Sequence, residues 1–68
     1  MYKNITDIAR ELNVSKFEVI RKLLNIGSVT YCGKTPQIMM YSGYEEEIQI
    51  RNGEIYITEN LKNIIAWS

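Results

Sequence analysis

The sequence predicts a small α+β domain on three observations: two amphipathic helical stretches joined by the tight link Asn13-Val14-Ser15, an Asn52-Gly53 turn flanked by alternating apolar and polar residues, and a helical pattern after Thr58. With 68 residues the chain is expected to form one domain, residues 1–68, that buries only about 60% of its unfolded surface. Domains this small usually need an additional staple. The single cysteine, Cys32, excludes an internal disulfide, and without His or a cysteine cluster no metal site is expected. Efficient packing or a partner chain remains.

The first helix places Ile5, Ile8, Ala9 and Leu12 on one stripe, with Asn4 or Thr6 as its cap. A second helix is announced by Ser15-Lys16-Phe17-Glu18, a capping box in which hydroxyl and carboxylate each satisfy a backbone N–H of the first turn. Val14 and Val19 have the spacing of a hydrophobic staple. The expected buried stripe is Val19, Ile20, Leu23 and Leu24, and Gly27 supplies a left-handed close. Two such helices around so short a link make a helix-turn-helix unit. On this pattern Glu18, Arg21, Lys22 and Asn25 point outward, with Phe17 on the flank and Lys16 in the exposed first turn.

The string Ile8-Ala9-Arg10-Glu11-Leu12-Asn13-Val14-Ser15, followed by Val19-Ile20, resembles the helix-turn-helix of bacterial and phage DNA-binding proteins, especially the excisionase and MerR-like winged-helix group. In that group a small residue stands where Ala9 does, and the turn favours Gly, where this chain has Asn13, the next best left-handed residue. Residues 5–27 are also similar to the small N-terminal subdomain of bacterial translation initiation factor two.

Between Ser28 and Tyr44 the only charge is Lys34. Val29–Cys32 and Gln37–Tyr41 have strand composition and are separated by Gly33-Lys34-Thr35-Pro36, whose Gly and Pro mark a turn. Gly33-Lys34-Thr35 resembles the end of a phosphate loop, but Ser28 stands where that motif needs Gly, so no nucleotide or other cofactor is expected. Tyr31, Met39, Met40, Tyr41 and Tyr44 serve either the core or a protein interface. Cys32 is expected to be a small buried hydrophobe.

Asn52-Gly53 suits a type I′ turn. It sets Arg51 opposite Glu54, Ile50 opposite Ile55, Gln49 opposite Tyr56 and Ile48 opposite Ile57, giving one isoleucine face and one polar face. A last short helix follows, with Leu61, Ile64 and Ile65 inward and Thr58 or Asn60 as cap. Gly53-Glu54-Ile55-Tyr56-Ile57-Thr58-Glu59-Asn60-Leu61 through Trp67 resembles the wing-then-helix ending of excisionase-like domains. The two resemblances together imply a small winged helix-turn-helix: two N-terminal helices, short strands with a β-hairpin wing, and a short C-terminal helix.

Function is sought in a surface, because no constellation of titratable groups for catalysis is present and the chain is not expected to be an enzyme. Lys+Arg and Asp+Glu both number 8, yet they are unevenly spread. Residues 1–27 are net positive and residues 44–68 net negative. The resemblance implies a DNA-binding protein of a phage or bacterial mobile element, excisionase-like or repressor-like and acting in transcription regulation. Helix 15–26 would enter the major groove of double-stranded DNA, and contacts would come from Ser15, Lys16, Phe17, Arg21, Lys22 and Asn25. The neutral total favours a homodimer, which doubles the cations on phosphate. The alternative is a module that binds and modulates a host protein without DNA, favoured by Glu45-Glu46-Glu47 and the tyrosine-rich middle. Apolar runs are too short for a membrane span and no leader pattern is seen, so a cytoplasmic location is expected.

Overall fold

The computed structural model describes residues 1–67. The elements run β1 (Tyr2–Asn4), α1 (Ile5–Leu12), α2 (Lys16–Asn25), β2 (Val29–Cys32), β3 (Thr35–Ile38), a 3-10 turn over Glu45–Glu47, β4 (Ile48–Arg51), β5 (Glu54–Thr58) and α3 (Glu59–Ala66). The fold is therefore α+β, and the described residues form three α-helices and two antiparallel sheets, ordered β1-β5-β4 and β2-β3.

Each helix is bounded by the local chemistry of its ends. The Asn4 side chain accepts from Thr6 N–H at 2.8 Å, the Ser15 hydroxyl from Glu18 N–H at 3.0 Å, and the Thr58 hydroxyl from Leu61 N–H at 3.2 Å. Only half of the expected capping box forms. The Glu18 carboxylate turns to Arg21 instead, because a guanidinium offers it two charge-assisted hydrogen bonds. Both α1 and α2 close as Schellman motifs. Val14 N–H donates to Ala9 C=O with Asn13 at φ 59°, and Ser28 N–H donates to Leu23 C=O with Gly27 at φ 75°.

The core joins Ile5, Ile8 and Ala9 of α1, Val19 and Leu23 of α2, Val29, the hairpin isoleucines Ile48, Ile55 and Ile57, and Leu61 and Ile65 of α3. The β4–β5 register is the one the sequence predicts, from Arg51↔Glu54 to Ile48↔Ile57, and both turn residues have positive φ. Strand β1 was not expected from the sequence. It pairs with β5 through Lys3↔Ile57, so β5 is the central strand of its sheet.

Several expectations for residues 28–44 need correction. Strand β3 covers Thr35–Ile38 rather than 37–41, after a two-residue turn at Gly33-Lys34. Its partner β2 begins directly after the α2 cap, so Met39 N–H makes the last bond, to Ser28 C=O at 3.0 Å, and Met40 and Tyr41 have no strand to pair with. Cys32 is exposed, because it flanks the turn of a two-stranded hairpin that leaves one face open. No helix of the described residues is long and apolar enough to cross a membrane.

Candidate interaction face on the second helix

Helix α2 sits on the domain with a different rotation from the one its apolar pattern predicts. Val19 and Leu23 are fully buried, whereas Ile20 is half-buried and Leu24 is 42% exposed. At about 100° per residue, the inward direction lies between Val19 and Leu23, so the outward direction runs through Phe17, Arg21 and Leu24. Glu18 and Lys22, expected to point outward, are half-buried at the flank. The core covers Val19 and Leu23 fully and Ile20 in part, since Ile20 packs against its edge, and leaves Leu24 exposed.

The outward face is consequently mixed rather than cationic. Phe17 is 82% exposed, and with Ile20 and Leu24 it forms an apolar stripe at i, i+3 and i+7. Ser15, Phe17, Glu18, Ile20, Arg21 and Leu24 line an open cleft of about 340 Å³. The apolar arc of α2 is thus wider than its own core covers, and the edge formed by Phe17 and Leu24 is left exposed.

The cations nearest this face are already engaged. Arg21 is paired with Glu18, and the hydrogen bonds of that pair hold the Glu18 carboxyl below its ordinary value. Lys16 Nζ lies 3.4 Å from Glu54 Oε1 on the hairpin, and Asn4 Nδ2 donates to the same oxygen at 3.4 Å. Glu54 thus joins the end of β1, the start of α2 and the hairpin. On the same polar hairpin face, Arg51 lies 5.0 Å from the Tyr56 ring centroid and donates to Gln49. Of that face, Arg51 is exposed while Gln49, Glu54 and Tyr56 are half-buried.

Of the residues proposed for DNA contact, Ser15, Lys16, Phe17, Arg21 and Asn25 lie on the exposed surface of one helix, and Lys22 is displaced to the flank. The proposed protein-interface set does not assemble into one core. Tyr44 packs against the core, while Met39, Met40 and Tyr41 are exposed by 40%, 68% and 94%. Tyr41 has φ 63°, uncommon for a bulky residue. The Glu45 carboxylate holds this loop by accepting from Tyr41 N–H at 2.9 Å and Gly43 N–H at 2.7 Å. Its own backbone N–H, then those of Gly43 and Tyr41, hold the Glu45 carboxyl below the ordinary range.

Sequence reasoning placed Leu24 in the buried stripe, where it is exposed, whereas Ile20 does pack against the core while also lining the cleft. The available signal was the second apolar stripe, Phe17/Ile20/Leu24, offset from Val19/Leu23. Among the described residues, no group of three or more His, Cys, Asp or Glu is placed to hold a metal ion. No protein-family model, curated protein or solved structure matches the chain.

Proposed function

We propose that the chain is a protein-docking module that uses a winged-helix-like frame to present the outward face of α2. The observation that carries this reading is the Phe17/Ile20/Leu24 stripe, set in a cleft whose flanking charges, Glu18 and Arg21, already neutralise one another. Exposed apolar surface with aromatic anchors is what a protein partner desolvates. Phosphate recognition instead needs surplus cations, and this chain carries equal numbers of each sign.

A second reading, a winged helix-turn-helix DNA-binding protein, is favoured by the turn itself. Asn13 is left-handed, Ala9 is buried where the first helix approaches the second, and Ser15, Lys16, Phe17 and Arg21 are exposed on the first turns of α2. In that arrangement Arg21 would reach a guanine edge and Phe17 a thymine methyl. The ion pairs of Lys16 and Arg21 are surface pairs that a phosphate could displace.

Titration of fluorescent random duplex DNA at low salt separates the two. The docking reading expects no binding. Binding that weakens steeply with salt and is lost in Arg21→Ala would overturn it in favour of the groove.

A further inference from the structure

We infer that the partner of the α2 face is a second copy of this chain, docked antiparallel about a two-fold axis that passes between the two helices level with the middle of each; the inference rests on the docking reading above. The stripe is close to symmetric about its midpoint between Ile20 and Arg21. Running a second α2 antiparallel sets Phe17 of each copy against Leu24 of the other and brings the two Ile20 side chains together at the centre. Self-complementarity of this kind is what an isologous interface requires.

The charges obey the same symmetry. Glu18 and Arg21 lie on the same side of the stripe, and a two-fold axis perpendicular to antiparallel helices keeps them on that side in both copies. With a rise of about 1.5 Å per residue, Glu18 of one copy and Arg21 of the second copy are offset along the helix by only about 3 Å. The intramolecular pair then becomes an alternating ring of four charges. A partner of uniform sign would leave either Glu18 or Arg21 facing a like charge, whereas a second copy matches both. Arg21 is 62% and Glu18 32% exposed in side chain, so both are accessible for this exchange.

The chain's total surface bounds the strength to expect. Standard interfaces bury about 800 Å² per partner, a large share of the 4488 Å² of this chain, and a stripe of three side chains on one helix supplies less, so the association is weak and concentration-dependent.

Sedimentation of the full chain from micromolar to millimolar concentration tests the inference, with far-UV circular dichroism to verify that each variant is folded. Wild type is expected to shift from monomer to dimer across this range, and Phe17→Glu or Leu24→Glu to remain monomeric. Glu18→Arg and Arg21→Glu, each alone, should weaken dimerisation at least tenfold. An equimolar mixture of these two variants should recover it, because opposite charges then meet across the axis, and the double variant should recover it as a homodimer. A wild-type chain that stays monomeric at millimolar concentration, or charge variants that associate as wild type does whether separate or mixed, would overturn the inference. Monomeric behaviour with no low-salt DNA binding removes the second copy and leaves the docking reading standing. Monomeric behaviour with DNA binding lost in Arg21→Ala removes both.

Discussion

Glu11 in α1 and Lys62 in α3 meet at 3.1 Å although 51 residues separate them. The same carboxylate accepts from Lys3 of β1 at 2.8 Å, and both lysines also approach Glu59. The network ties β1, α1 and α3 together, and Lys62 is largely covered, with 16% of its side chain exposed.

The pH dependence of stability follows from this network. Hydrogen bonds from Lys3 and then Lys62 hold the Glu11 carboxyl below the ordinary 4.5, and Glu18 and Glu45 are lowered as well. Carboxylates lowered in the folded state stabilise it above their ordinary pKa, and the contribution is lost as pH falls through the folded values. The hydrogen bond to Glu11 raises Lys3 above 10.5, and those to Glu59 and then Glu11 raise Lys62. Their contribution is complete below that value and is lost as pH rises through the folded ones. Urea midpoints should be level from about pH 5 to about pH 10 and fall on either side. Glu11→Gln should make both falls shallower, and added salt should diminish the difference.

The rotation of α2 predicts opposite outcomes for adjacent leucines. Leu23→Ala should cost about 2–5 kcal/mol, because it empties a fully buried site. Leu24→Ala should stay within about 0.5 kcal/mol, as exposed positions do. Urea denaturation of the two variants at a concentration where the chain is monomeric checks this. Equal losses would place Leu24 in the core.

The turn between α1 and α2 makes a separate prediction. Asn13 is held at φ 59°, ψ 43°, a conformation Ala tolerates poorly, so Asn13→Ala should lower stability by roughly 1 kcal/mol. Asn13→Gly should remain within a few tenths of wild type, since Gly adopts this conformation freely. Thermal melts of the two variants distinguish a backbone effect from a lost side-chain contact.

Cys32 offers a chemical check on the β2–β3 hairpin. Its exposure predicts that a disulfide reagent modifies one thiol per chain under native conditions, without denaturant. Protection of the thiol until the chain unfolds would mean that the open face of this hairpin is covered in solution.

How much of the fold was legible depended on how local its causes are. Asn52-Gly53 sets the β4–β5 register through backbone conformations available within the dipeptide, and Ser15 caps α2 from three residues away. Strand β1 was illegible because Tyr2-Lys3-Asn4 shows no periodicity and is ordered by its ladder with β5 and by side-chain contacts to Glu11, Glu46 and Glu54, none of which its own pattern announces. The candidate site was legible as a helix but not as a face. Leu24 and Leu23 are chemically alike, and only the location of the core isoleucines decides which one faces solvent. The tyrosines and methionines of the middle segment read as either core or interface for the same reason: Tyr44 packs against the core, while the short β2 leaves Met40 and Tyr41 outside the ladder.

The position of β5 between β1 and β4 has a consequence for the order of folding. Tyr2 pairs with Thr58 and Asn4 with Tyr56, so the β1–β5 ladder must close a far longer loop than the two-residue turn that joins β4 to β5, and loop-closure entropy grows with that length. The β4–β5 hairpin can therefore form ahead of the β1–β5 ladder, and amide exchange during refolding should protect residues 48–58 before Tyr2–Asn4.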